Sequence, residues 1–328
     1  MSGTVIMNRR GANFGTDAGR TGRRVSVLSR GDGGGEVAGT MRYPTLLLGG
    51  FLVASAGLTA AENWKALWNG KDLQGWDTFM TNPDASWDVP GLKRDLNGKY
   101  LEPIGLNRDP LHVFTVEEVD GRPAIHVSGQ GFGVMTTRES FANFHVRVQV
   151  KWGEKKWGSK LKLPRDCGLL YFVHGAPGFD HATWPRSIEF QIQEHDIGDL
   201  YALGTQITVN ARRSEGTSRP LYIYDPKGEP TVFVQKAPIG NRCVKLGDPE
   251  KPEGEWNTLD LYCVGGDSIH VVNGVVVMRL HNAQRLDGPA PAPLTGGQIA
   301  LQTEGAEVFY RDVEIQPITA FPAELAGL

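Results

Sequence analysis

Cysteine is scarce: Cys167, Cys243 and Cys263 are the only three in 328 residues. Their spacings fit no zinc motif, and an odd count leaves at least one thiol unpaired, so a disulfide-built scaffold is not expected. Cys263 lies in an apolar strand pattern and reads as core, while a Cys167–Cys243 bridge stays open. Charge of one sign is also missing. The formal net charge of −3 offers no basic field for nucleic acid or anionic lipid. There is no Gly-x-Ser-x-Gly elbow, no P-loop and no dinucleotide fingerprint, so a serine nucleophile and nucleotide binding lack support. Helical periodicity is rare, and no internal repeat or coiled coil appears.

The first 40 residues are rich in Gly, Arg and Ser and carry almost no apolar periodicity. Met41-Arg42 then opens an apolar run from Tyr43 to Leu58, followed by Thr59-Ala60-Ala61. A positive start, an apolar centre and a small-residue exit describe a secretory signal peptide over 41–61. Gly49, Gly50, Ser55 and Gly57 interrupt the run, and it falls short of the ~20 residues that a membrane span needs. Residues 1–40 then read as an extension upstream of the physical start. Residues 62–328 read as one exported domain, periplasmic or secreted, with no stable membrane insertion after cleavage.

What the remainder has in quantity is short β-like runs: Ala124–Val127, Phe144–Val150, Gly168–Val173, Ser187–Gln193, Gln206–Val209, Trp256–Val264, Ser268–Val272, Val275–Leu280, Gln298–Gln302 and Val308–Ile315. Gly, Pro, Asn and Asp separate them at the rhythm of an antiparallel sandwich. Gly265-Gly266-Asp267 and Asn273-Gly274 are tight-hairpin signals, which predict a three-stranded meander over residues 256–280. Thr81–Asp120, Gly153–Arg165, Gly175–Pro185 and Ala211–Gly254 read as long functional loops. Trp152, Trp157, Phe179, His181 and Trp184 lie in or beside two of them. Such rings either stack on sugars or cap the sandwich edge.

The densest chemistry lies in Arg186–His195. Ile188, Phe190 and Ile192 alternate with Glu189, Gln191 and Gln193, and Glu194 and His195 follow. That is a strand with one buried face and one face of carboxylates and amides, suited to the floor of a sugar cleft. Glu189, Gln191 and Glu194 resemble the Glu-x-Asp-x-x-Glu signature of laminarinase-like β-glucanases, with Gln191 in place of the central Asp. His174, His181 and His195 flank the strand. His195 adjoins the carboxylates and is the preferred imidazole base. Arg138 precedes the strand at Phe144 and offers a charged hydroxyl holder. The candidates are therefore Glu189, Glu194 and His195 for catalysis, and Gln191, Gln193, Arg138, His174, Trp184 and His181 for substrate.

Several segments together resemble one family. Trp64-Lys65-Ala66-Leu67-Trp68-Asn69-Gly70-Lys71-Asp72-Leu73-Gln74-Gly75-Trp76 is similar to its opening F-x-x-L-F-N-G-K-D-L-x-G-W. Phe141–Val150, Cys167–Phe172, Glu189–Ile192, Glu255–Thr258, Asn273-Gly274 and Gly297–Ile315 resemble its later pieces, in order. This is the 3-keto-disaccharide hydrolase domain family. The resemblance implies a concanavalin-like jelly roll, all-β, acting on glycosides already oxidised at sugar C3. It also implies cleavage by proton abstraction at C2, elimination and hydration. Under it, Glu189 or His195 serves as base, Gln191 and Gln193 hold hydroxyls, and Arg138 or a divalent metal polarises the ketone. A non-catalytic carbohydrate-binding module and a glucanase-like hydrolase are the alternatives.

Overall fold

Alternating strands have one face to bury, and two sheets stacked face to face bury both at once. The computed structural model describes residues 63–215 and 221–326, and the expected extension and signal peptide lie outside them. One sheet runs, in spatial order, Leu221–Tyr224, Thr205–Ser214, Val275–Arg285, Asp267–Val272, Asn257–Val264, Phe144–Lys156, Ala306–Pro317, Arg122–Val127 and Phe114–Val119. The other runs Arg242–Cys243, Leu200–Leu203, Arg186–Gln193, Asp166–His174, Gly296–Glu304, Phe132–Thr137, Trp76–Met80 and Gly105–Leu106. The chain passes repeatedly between the sheets, so hairpin pairs alternate with pairs of strands far apart in sequence. This is an all-β jelly-roll sandwich. Among the described residues, no helix is long and apolar enough to cross a membrane.

The core lies between the sheets. Val146, Val148 and Val150 meet Leu169, Tyr171, Ile188, Phe190 and Ile192 in one cluster. Each such buried side chain contributes about 1.5–3 kcal/mol relative to exposure. A polar link crosses this apolar layer. The Tyr171 hydroxyl lies 2.8 Å from Ser268 Oγ and 3.1 Å from His270 Nε2. His270 Nδ1 lies 3.1 Å from the Gly198 carbonyl, so Nδ1 carries the proton and Nε2 accepts from Tyr171. Burial pulls the His270 pKa down to about 4, which keeps the ring neutral where it stacks on Phe190, with centroids 4.2 Å apart.

The predicted meander is present. Asn257–Val264 pairs with Asp267–Val272, which pairs with Val275–Arg285. Asn273 and Gly274 both take positive φ, 50° and 81°, as a two-residue hairpin turn requires. All three thiols are free and buried, so no Cys167–Cys243 bridge exists. Cys167 instead receives a hydrogen bond of 3.0 Å from the Tyr310 hydroxyl. The expected long loops need correction. Thr81–Asp120 contains the strand Phe114–Val119, and Ala211–Gly254 contains Leu221–Tyr224 and Glu229–Val234. Their Pro, Gly and charged residues suit edge strands, where one side faces water.

Tyr171→Phe removes a donor from His270 and a partner from Ser268 while keeping the ring. It is expected to cost about 1–3 kcal/mol in chemical denaturation, because two buried polar groups lose their bond.

Candidate active site

The strand Arg186–Gln193 divides its side chains as its pattern requires. Ile188, Phe190 and Ile192 enter the core. Glu189, Gln191 and Gln193 line a cleft of about 580 Å³ on the outer face of the same sheet. Neighbouring strands add to that face by the same alternation: Asp166 next to the core residue Cys167, and Gln302 and Glu304 beyond the core residue Leu301. Gly168 makes room for Glu189. A Cβ at Gly168 would lie 2.3 Å from Glu189 Oε1 and 2.7 Å from Gln302 Oε1, so only a glycine lets the carboxyl lie flat across the neighbouring strand.

One ammonium serves this floor. Lys160, from the 3₁₀ turn Gly158–Leu161, hydrogen-bonds Asp166 Oδ2 and lies 3.3 Å from Glu304 Oε1. Gln193 Nε2 donates to the same Asp166 oxygen at 2.8 Å. Asp166 Oδ1 and Gln302 Oε1 are buried with no protein partner. Buried acceptors of this kind are rare in folded proteins and mark a place for a ligand's hydroxyls or protons.

Burial dominates the electrostatics. Glu189 is 5% exposed, and its carboxyl is pushed well above the ordinary range by desolvation, then by the charges of Glu304 and Asp166. Glu304 rises to about 8 by burial and by Asp166, against the pull of Lys160. Asp166 is raised by burial and drawn back by the Lys160 charge and hydrogen bond. One cation cannot neutralise three carboxylates in a dry cleft, so the cluster retains protons at neutral pH. An ionisable base and a protonated acid therefore sit side by side.

The wall is built by the Gly175–Pro185 loop. His181 and Ala182 both take positive φ, 47° and 55°, and the turn closes through Thr183 N to Asp180 O at 2.9 Å. Asp180, His181, Thr183 and Trp184 thereby face the cleft. Asp180 accepts from Gln235 Nε2 at 2.8 Å and lies 2.8 Å from His181 Nδ1. The Trp184 indole nitrogen is buried without a partner. Tyr201, Gln235 and Asn241 complete the rim.

Of the residues singled out in the sequence, Glu189, Gln191, Gln193, Trp184 and His181 come together here. Four do not. Glu194 turns the other way, taking the Arg165 backbone N–H at 2.6 Å and pairing with its guanidinium. His195 follows with φ at 71° and an exposed side chain. Both line a separate hollow with Asp248 and Glu250. The strand ends at Gln193, and the turn after it breaks the alternation that would have kept Glu194 on the cleft side. Arg138 is exposed and bound to Asp77 at 2.8 Å. His174 is tied by Nδ1 to the Phe172 carbonyl at 3.0 Å and is not among the cleft residues. Among the loop rings, Trp152 is buried in the core and Phe179 lies beneath the Arg186 guanidinium at 4.0 Å.

Sequence reasoning missed Asp166, Glu304, Gln302, Lys160 and Tyr201. Asp166 and Glu304 were within reach: the period-two patterns of Gly168–Val173 and Gln298–Gln302 place them on the polar face when each run is extended by two residues. Lys160 carried no such signal, since its place depends on the fold around a single turn. Among the described residues, no group of three His, Cys, Asp or Glu side chains is arranged to hold a metal ion.

A profile of the 3-keto-alpha-glucoside-1,2-lyase-like domain family matches residues 63–316. A search of the curated proteins finds no match. Among solved structures, a protein from Parabacteroides distasonis ATCC 8503 is 19% identical, with 78% of this chain and 94% of that one covered and a TM-score of 0.42. LamAcat from Zobellia galactanivorans is 14% identical, covering 77% and 95%, with a TM-score of 0.37. The carbohydrate binding module CBM66 from Bacillus subtilis is 10% identical, covering 62% and 91%, with a TM-score of 0.36.

The raised Glu304 pKa has a consequence for stability. Unfolded, Glu304 ionises near 4.5; folded, near 8. The native state therefore binds the extra proton, and this contribution is full below 4.5 and is lost as pH rises to 8. Glu304→Gln removes it. The drop in melting temperature between pH 5 and pH 8 is expected to be smaller in the variant than in the wild type.

Proposed function

The chain belongs to the 3-keto-alpha-glucoside-1,2-lyase-like domain family, and on that premise we propose that it cleaves 3-keto-glycosides by elimination and hydration at the cleft lined by Asp166, Glu189 and Glu304. The observation that supports this most is the trio of carboxyls gathered on one cleft floor, two of which, Asp166 and Glu304, share the Lys160 ammonium, with Asp166 Oδ1 buried and unpartnered. A ketone at C3 acidifies the C2 hydrogen and sets the C1 substituent β to the carbonyl. Such a reaction needs a base, a group to stabilise the enolate and an acid for the leaving oxygen.

The three carboxyls divide these roles. Asp166, the one hydrogen-bonded to Lys160, takes the proton from C2. The C–H electron pair forms the enolate, and its charge collects on the C3 oxygen. Glu189, held protonated by burial, donates a hydrogen bond to that oxygen. The enolate pair then forms the C1–C2 double bond while the C1–O bond breaks, its pair leaving with the oxygen. Glu304 gives that oxygen its proton, and Lys160 holds the carboxylate left behind. Hydration reverses the sequence with water: Glu304 takes a proton from the water adding at C1, and Asp166 returns one to C2. The balance is hydrolysis. Gln191, Gln193, Gln302 and Asn241 are suited to hold sugar hydroxyls, and Trp184 offers a ring and an indole N–H.

Product analysis in deuterated water tests the reading, with a 3-keto-disaccharide beside its unoxidised parent. Cleavage of the keto sugar alone, with deuterium at C2, is expected. Asp166→Asn and Glu189→Gln should each lower kcat by about 10²-fold or more. Cleavage of the parent would favour a glucanase-like hydrolase, and tight binding of sugar without any cleavage would favour a binding module.

Export to a periplasm or beyond belongs to the same proposal and rests on the sequence of Met41–Ala61. The secreted protein, expressed from its own start, is expected to begin near Glu62 by N-terminal sequencing. A chain retained in the cytoplasm with Met41–Ala61 intact would overturn export.

A further inference from the structure

Beside the cleft lies a second hollow of about 360 Å³, whose lining includes Asn82, Asp84, Trp87, Trp157 and Gly305. Phe132 lines both depressions. The backbone joins them twice more. Thr81 and Glu304 face the cleft, and their successors Asn82 and Gly305 face the hollow. The carboxyl assigned to protonate the leaving oxygen is therefore one residue from the hollow's wall.

Aromatic rings lead from one space to the other. Trp184 and Phe132 have centroids 6.0 Å apart. Trp87 and Trp157 meet edge to face at 6.4 Å and 83°. Trp157 is fixed by its indole N–H, which donates to the Ser128 carbonyl at 2.8 Å. Gly131, at φ +97°, gives Trp87 its position, because a Cβ there would lie 3.2 Å from Trp87 Cζ3 and 3.0 Å from Met80 Cε.

Of the hollow's polar side chains, Asp84 and Asn82 are already engaged, and Ser159 adds one exposed hydroxyl. Asp84 Oδ1 accepts from Ser86 N at 2.8 Å and from Ser86 Oγ at 2.6 Å, and Asn82 Nδ2 donates to the Tyr100 carbonyl at 3.0 Å. The cleft, by contrast, has amides and unpartnered acceptors on its floor. A sugar ring needs partners for several hydroxyls; a flat apolar ring needs faces and edges to pack on. We infer that this hollow is the leaving-group subsite and that it takes a planar aromatic aglycone rather than a second sugar. The inference rests on the cleavage reaction proposed above for the adjoining cleft. In it, a phenolic oxygen departs from C1 with the bonding pair and takes its proton from Glu304, while the aryl ring rests against Trp87.

The experiment compares the 3-keto forms of phenyl glucoside, methyl glucoside and a disaccharide, with wild type, Trp87→Ala and the bulkier Trp87→Leu. Circular dichroism melts verify that the variants fold. The wild type is expected to show a higher kcat/KM for phenyl than for the disaccharide. The phenyl-to-methyl ratio of kcat/KM should fall about tenfold in Trp87→Ala, as expected for loss of a ring packing partner, and less in Trp87→Leu. Preference for the disaccharide, or an unchanged ratio in both variants, overturns the subsite while cleavage of the methyl substrate leaves the reaction standing. Where none of the three is cleaved, the reaction fails and binding of phenyl glucoside decides the subsite by tryptophan fluorescence. Affinity weakened about tenfold in Trp87→Ala supports it, and unchanged affinity overturns it.

Discussion

One strand has to satisfy two incompatible environments, and the rest of the molecule is arranged around that constraint. Ile188, Phe190 and Ile192 must be dry among hydrocarbon, while Glu189, one residue away from two of them, must be dry among carboxyls. The first demand is met by a second sheet. The second is met by a glycine on the neighbouring strand, a single ammonium and retained protons. Neither solution is local. Asp166, Gln302 and Glu304 reach the face of Arg186–Gln193 only because the jelly-roll path places Asp166–His174 beside it and Gly296–Glu304 beside that strand in turn. The polar face is therefore held by the core, since Asp166, Glu189, Gln191 and Gln302 each adjoin an apolar neighbour on the other side.

The fold was largely legible in the sequence because alternation is a short-range signal. Each of the ten expected runs falls on an observed strand, and Asn273-Gly274 turns where its chemistry requires. What stayed hidden were edge strands such as Phe114–Val119 and Glu229–Val234, and also Trp76–Met80, Phe132–Thr137 and Leu200–Leu203 inside the second sheet, whose sequences carry no plain alternation. The site was legible where a strand's own period set it, at Glu189, Gln191 and Gln193. It became illegible where the strand stopped: Glu194 and His195 continue the sequence but not the pleat, and they face another hollow. Lys160 and Asp166 lie six residues apart, but Glu304 comes from near the other end of the chain, and only sheet order brings it beside them.

The electrostatics give this assembly a direction. Lys160 is bonded to Asp166 and Glu304 but not to Glu189, so equal carboxyls become unequal in an environment too dry for water to level them. Shape and charge thus come from one source. The same desolvation that would make an isolated charge costly produces acid and base from like residues within one cleft.

Three thiols lie buried in a sandwich that uses none of them as a bridge. Burial raises Cys167, Cys243 and Cys263 alike, so the reactive thiolate is suppressed at each, and the Tyr310 hydroxyl caps the sulfur of Cys167. Thiol–disulfide exchange needs a thiolate and an approach path, and the native sandwich offers neither. Its integrity is therefore independent of the redox poise of its surroundings: oxidants and reductants alike find nothing to exchange with until the two sheets come apart.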